Sequence, residues 1–303
     1  MNRRVFLSLV SLLSINPYQP LLANNSKLKI TKKIASSNEM IPAIGMGTWI
    51  CFNVGASAKL RAQRTEVLAK FFELGGGMID SSPMYGSAQD VLGEALQTLD
   101  YPNGLFSADK IWTRSDAKGV KQFQDMQRLW GLKTFDLVQV HNLVNWKSHL
   151  RRLRAMKEEG LIKYIGITTS HGLRHDAFEE ILNSEKLDFI QLTYNITNRE
   201  VEQRLLPLAQ DKGVAVIANR PFDGGTLFDQ VKGQQLPPWA VDYDISNWAQ
   251  FFLKFIVSHP AITCAIPATS QVEHMQENMG ACYGRLPNQT SRIAMSDYIE
   301  QII

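Results

Sequence analysis

The sequence predicts an α/β fold, a (β/α)8 TIM barrel, on three observations. Short apolar runs alternate with amphipathic stretches eight times between residues 43 and 282. The polar residues closing successive runs, Asp80, Lys110, His141, Thr168, Asn195 and Asn219, recur at intervals of 30, 31, 27, 27 and 24, the size of one strand–helix unit. The runs are continuously apolar, as parallel strands covered by helices are. An open dinucleotide fold would want G-x-G-x-x-G after its first strand; GMGTW at 45–49 supplies two glycines, then Thr48 and Trp49. Eight units at this length fit a closed barrel better.

The N-terminus, MNRRVFLSLVSLLSINPYQPLLANNS, places Arg3 and Arg4 before an apolar stretch, Val5 to Ile15. That stretch is shorter than the roughly 20 residues that span a bilayer. It fits a signal-peptide core, and the arginine pair before Val5-Phe6-Leu7 resembles a twin-arginine export signal over residues 1–23. The expectations are a periplasmic protein, delivered by the twin-arginine machinery, with no stable membrane span in the mature chain. The alternative is a cytoplasmic or N-terminally anchored protein. Residues 27–303 then form a single barrel domain, in which 27–40 is expected to be a hairpin closing the barrel bottom.

The strand runs are AIGMGTW (43–49), GMIDSS (77–82), DKIWT (109–113), FDLVQVHN (135–142), KYIGITTS (163–170), DFIQLTYN (188–195), VAVIANRPF (214–222) and ITCAIPATS (262–270). Between them lie helical stretches, several ending at glycine (Gly75, Gly131, Gly160, Gly213). The long gap from 222 to 262, with Pro237 and Pro238, is an insertion on the seventh connection.

The chain has 303 residues, 45% hydrophobic and 20% charged, with net charge +3. Without Arg3 and Arg4 the balance is 30 basic against 29 acidic, or +1. No basic run or basic–aromatic pattern suggests nucleic acid as a partner. Three cysteines, with no CxxC, exclude a disulfide framework or a four-thiolate metal site and leave room for one pair. His171 and His175 have no acidic third ligand in view, so no metal is expected.

In such barrels the chemistry sits at the carboxyl ends of the strands. Asp80 ends the second strand and Tyr85 follows on its loop. Lys110 lies in the third strand and His141 ends the fourth. Neighbouring strands are about 4.8 Å apart, so the four side chains can meet in one mouth. Each taken singly has an ordinary structural role: a turn former, a packed aromatic, a snorkelling lysine, a core histidine. Their joint placement at matched strand ends carries the functional reading.

IDSSPMYG (79–86), ADKIWT (108–113), VQVHN (138–142), IGITTS (165–170), QLTYN (191–195) and IPATSQVEHMQENMGA (266–281) resemble the aldo-keto reductases, in that family's order and over nearly all of residues 40–282. The resemblance implies reduction of an aldehyde or ketone to an alcohol by hydride transfer from NAD(P)H. Tyr85 would be the proton donor, its pKa lowered by Lys110; Asp80 would pair with Lys110, and His141 would orient the carbonyl.

The resemblance also implies a nicotinamide cofactor. Thr168, Thr169 and Gln191 would hold the carboxamide, with Asn219, Arg220 and Pro221 on the seventh strand end. Thr269, Ser270, His274, Glu277 and Asn278 lie on the loop and helix where a phosphate and the adenine would sit. The chain departs from the family where Thr168-Thr169 replace Ser-Asn. It departs again where Asn219 replaces a stacking aromatic, so stacking is lost or Phe222 or Arg220 substitutes. Ala268 and His274 replace two cations of NADPH-preferring members; NADP(H) is expected over NAD(H). A second reading is a cofactor-bound sensor or accessory subunit with slow turnover. A third, a barrel using Lys110 as a Schiff-base amine, is disfavoured by the Asp80 pairing.

Overall fold

The computed structural model describes residues 28–303. The export signal expected over residues 1–23 lies outside them.

The described chain opens with an antiparallel hairpin, β1 (Thr31–Lys33) and β2 (Met40–Pro42), paired Thr31 to Pro42. Eight parallel strands follow: β3 (Met46–Gly47), β4 (Met78–Asp80), β5 (Phe106–Ile111), β6 (Phe135–Val140), β7 (Ile162–Thr168), β8 (Phe189–Thr193), β9 (Ala215–Asn219) and β10 (Ile262–Ala265). Each hydrogen-bonds its neighbours in chain order, and β10 returns to the β3 region to complete the barrel. That seam rests on the Gly45 N–H to the Ala265 carbonyl (2.8 Å), the Ala265 N–H to the Ala43 carbonyl (2.9 Å) and the Gly47 N–H to the Pro267 carbonyl (3.0 Å). The backbones come so close there that a Cβ on Gly47 would stand 2.9 Å from the Ile266 carbonyl oxygen.

The covering helices are α1 (Ala58–Glu73), α2 (Ala88–Thr98), α3 (Asp116–Trp130), α4 (Trp146–Glu158), α5 (His175–Ser184), α6 (Leu205–Lys212), α8 (Trp248–Val257) and α9 (Val272–Gly280). The seventh connection does carry the expected insertion: a short helix α7 (Thr226–Gln230) and a 3-10 turn, Pro238–Tyr243. A C-terminal helix, α10 (Gln289–Ile302), was not anticipated. Asn288 caps it, accepting the Ser291 N–H at 2.9 Å. Its buried positions are Arg292, Met295, Ser296 and Ile299, a helical stripe half made of polar residues, so apolar periodicity does not announce it.

Side chains alternate along each strand, and this positions the site. Met78, Phe106, Ala108, Leu137, Tyr164, Phe189, Ala215, Ile217, Cys264 and Ile266 pack inside the barrel, with Ile34 and Ile41 of the hairpin region. The Phe106, Tyr164 and Phe189 rings lie 5.5–6.0 Å apart. Two residues further along β4, β5, β6, β8 and β9, towards the carboxyl end, come Asp80, Lys110, Gln139, Gln191 and Asn219. The interior is thus oily below and polar above.

Candidate active site

Asp80 closes β4 and Lys110 is the fifth residue of β5. Lys110 is fully buried. Its ammonium donates to Asp80 Oδ2 at 2.5 Å, to the Ser81 carbonyl at 2.8 Å and to the Tyr85 hydroxyl at 3.4 Å. Three N–H groups thus meet three oxygens, which a buried ammonium requires. The other Asp80 oxygen accepts from Gln191 Nε2 at 2.9 Å and Gln139 Nε2 at 3.4 Å. The carboxylate is held from three strands at once.

His141 lies one residue beyond the end of β6 and opens a 3-10 turn, His141–Leu143. Its ring meets Tyr85 edge-on, centroids 5.8 Å apart. Ser82 Oγ, 2.8 Å from His141 Nδ1, accepts the Met84 N–H at 3.2 Å and has its own proton to give. That assigns the ring proton to Nε2. Burial first, and the Lys110 charge second, push the His141 pKa down to about 2, so the ring is neutral.

The expected lowering of the Tyr85 pKa is corrected by the structure. Burial raises it, and the opposing pull of Lys110 does not overcome that; Asp80 and Asp109 add to the rise. The phenol therefore holds its proton at neutral pH. For Lys110, burial works against the charge, but Asp80 and then Tyr85 carry its pKa above the ordinary value.

A cavity of about 310 Å³ opens above these groups. It is lined by Asp80, Tyr85, His141, Thr168, Thr169, Gln191, Asn219, Arg220 and Pro221 among the expected residues, and by Trp49, Ile50, Met84, Phe222 and Phe228. Its size is that of a small-molecule site. Thr269, Ser270, His274, Glu277 and Asn278 are not in its wall. They sit on the loop after β10 and on α9, and the cavity reaches that loop at Ile266 and Ala268. Thr269 and Asn278 are buried and His274 is exposed.

Asn219, in place of an aromatic, is locked in a polar web. Its Nδ2 donates to the Thr169 carbonyl (2.8 Å) and Gln191 Oε1 (3.4 Å), and its Oδ1 accepts from Thr193 Oγ1 (2.8 Å). Thr169 Oγ1 donates to the Leu173 carbonyl at 2.5 Å, and Thr168 Oγ1 accepts the Asn142 N–H at 3.2 Å. Arg220 is paired with Asp223 at 3.0 Å and lies over the Trp49 ring at 5.9 Å. Phe222 packs on Phe228, centroids 4.8 Å apart.

Sequence reasoning missed Ser82 and Gln139. Both were within reach of strand alternation, since Ser82 lies two residues beyond Asp80 and Gln139 two before His141. His171 and His175 turn to different partners, Ser170 Oγ at 2.9 Å and Glu200 Oε1 at 3.1 Å. Cys51, Cys264 and Cys282 are free thiols. Among the described residues no helix is long and apolar enough to cross a membrane.

Fold and site together define a (β/α)8 barrel with an enzyme-type cavity at the carboxyl ends of its strands. The sequence profile of the Aldo/keto reductase family matches residues 43–296, and the chain belongs to that family of oxidoreductases. It is 26% identical over 249 residues to a methylglyoxal reductase of Escherichia coli, covering 80% of this chain and 86% of the relative. It is 31% identical over 232 residues to an uncharacterized oxidoreductase of Schizosaccharomyces pombe, covering 71% and 72%. A crystal structure of an aldo/keto reductase from Klebsiella pneumoniae, in complex with NADP and acetate, superposes with a TM-score of 0.75 at 22% identity. It covers 90% of this chain and 96% of that one.

Proposed function

We propose that the protein is an NAD(P)H-dependent reductase that converts an aldehyde or ketone to an alcohol, with Tyr85 as proton donor. The observation that carries this is the buried Lys110 ammonium, bonded to Asp80 at 2.5 Å and to the Tyr85 hydroxyl at 3.4 Å. The cavity suits a nicotinamide. Gln191 Oε1 keeps a lone pair beyond the one Asn219 uses, the Thr168 hydroxyl can donate, and Arg220 and Pro221 continue the wall towards Ala268. Beyond Ala268, Thr269, Ser270, His274, Glu277 and Asn278 would hold the phosphate and adenine end. When bound, the reduced nicotinamide supplies the hydride for the carbonyl carbon.

The chain's own residues do the rest. The Tyr85 hydroxyl and the His141 Nε2–H fix the carbonyl oxygen. Negative charge grows on that oxygen and Tyr85 releases its proton to it. Lys110 faces the phenolate left behind and stabilises it as it forms, when the charge is worth most. Asp80, anchored by Gln139 and Gln191, keeps Lys110 charged and in place. His141, neutral, donates a hydrogen bond without competing as an acid.

NADP(H) is the cofactor in this reading, with support from the NADP-bound Klebsiella pneumoniae neighbour. Export by the twin-arginine route is also part of it, resting on Arg3-Arg4 and the apolar stretch after them. The test follows nicotinamide absorbance with NADPH or NADH and a panel of aldehydes. Tyr85→Phe is expected to cost 10²–10⁴-fold in turnover while leaving cofactor affinity intact; undiminished turnover in that variant refutes the assignment. One observation favours a second reading, a cofactor-bound sensor. Asn219 offers the nicotinamide an amide already bonded to Thr193, Thr169 and Gln191, and no stacking ring. Tight cofactor binding with a single slow turnover would select it.

A further inference from the structure

Ile50 sits on the loop after β3 with φ +61°, in the left-handed region where a β-branched residue is an outlier. It is also 63% exposed. The side chain therefore has neither burial nor backbone ease to recommend it, and asparagine or glycine would occupy the position at lower cost. The loop imposes the conformation from outside. Phe52 is fully buried two residues on, and the Asn53 N–H bonds the Ile50 carbonyl at 3.1 Å. Arg64 ties the loop down, from Nε to the Cys51 carbonyl at 2.6 Å and from a terminal nitrogen to the Ser270 carbonyl at 3.1 Å.

Ile50 lines the cavity mouth in company. Trp49, Met84 and Phe228 line it too, and Trp112 lies beside His141, ring centroids 6.5 Å apart. These four are 38–41% exposed. Large apolar side chains left in water around one opening mark a surface meant to be covered. Arg220, the arginine of the lining, is tied to Asp223 and Trp49 and offers no free cation to an acidic substrate.

We infer that the reducible substrate carries an apolar chain or ring extending from its carbonyl across this rim, and that Ile50 is a specificity-determining residue held in a costly conformation to contact it. The inference rests on the carbonyl-reductase reading of the same site and narrows it. A small polar dicarbonyl or a sugar would leave the rim wet.

The test uses the full chain and straight aldehydes from propanal to heptanal, with binding of the matching 1-alkanols read by tryptophan fluorescence. Both kcat/KM and alkanol affinity should rise about fourfold per methylene once the chain reaches the rim. In Ile50→Asn the heptanal-to-propanal ratio should fall on the order of tenfold, while Ile50→Leu keeps the gradient. Ile50→Asn should also melt about 1–3 °C higher, because asparagine accepts the left-handed backbone. Turnover with no dependence on chain length overturns the inference and leaves the reductase reading standing. Graded alkanol binding without turnover of any carbonyl refutes the reductase reading, and with it the reducible substrate, while showing that the rim takes an apolar chain. A lower melting temperature for Ile50→Asn, or a gradient it does not alter, removes Ile50 from the account.

Discussion

A lysine with no exposed surface needs an acceptor for each of its protons, and Lys110 has Asp80, the Ser81 carbonyl and Tyr85. Removing the ammonium strands a buried carboxylate, so Lys110→Met is expected to cost about 3–5 kcal/mol in urea unfolding. The double variant Asp80→Asn, Lys110→Met should recover part of that, since no buried charge then lacks a partner. His141 gives a second residue-scale expectation. Its ring should stay neutral from pH 8 down to pH 4 in imidazole NMR, and a titration near 6.5 would contradict the burial that lowers its pKa to about 2. That Asp80, Tyr85, Lys110 and His141 meet was legible in the sequence because all four fall at or just beyond the ends of three successive strands, although each alone has an ordinary structural role. The direction of the Tyr85 shift was not, because it is decided by burial, which spacing does not encode. The Asn219 web was hidden too. It joins three strands, and only their register brings Thr169, Gln191 and Thr193 to one amide.

At the scale of elements, one close crossing bears most weight. Gly93 of α2 packs on the end of α3, where an added Cβ would overlap the Leu129 carbonyl oxygen at 1.7 Å. Backbone cannot rotate aside as a side chain can, so Gly93→Ala should part the two helices and cost about 3 kcal/mol or more, measured by chemical denaturation. An unchanged midpoint would mean that α3 shifts freely. Strands and covering helices were readable from period and spacing, with ends off by a few residues; β5 begins at Phe106 rather than Asp109. Helix α10 escaped because its buried face is anchored by charge. Arg292 reaches the Phe255 carbonyl, Glu202 (2.8 Å) and Tyr194. Such a residue reads as solvent-facing until its partners, 37 to 98 positions away, are known.

For the whole molecule, two buried groups set opposing pH responses. Asp109 faces outward from β5 and accepts from Gln89 Nε2 and Trp130 Nε1, both at 2.8 Å, and from the Lys110 N–H at 2.7 Å. Burial still pushes its pKa up to about 7. Between pH 4 and 7 the folded chain keeps a proton that the unfolded chain has lost, so this group's stabilisation fades as pH rises through that window. His141 acts the other way: below about 6.5 the unfolded chain takes a proton that the folded one refuses, and stability fades on acidification. Asp109→Asn removes the first response and leaves the second. The variant's stability deficit against the parent should therefore grow from pH 7 to pH 4, by about 1.4 kcal/mol per unit; a constant deficit would show that Asp109 ionises normally. The barrel itself was legible from eight repeats, whereas how it shuts was not. Its first stave is two residues long, and three main-chain bonds join that stave's neighbourhood to the last one. The loop bearing Trp49 and Ile50 leaves from that same stave. Deuterium should therefore enter at Gly45, Gly47 and Ala265 well before it enters the six-residue stave ending at Val140. The wall would then part most readily beside the place where a bulky guest has to come and go.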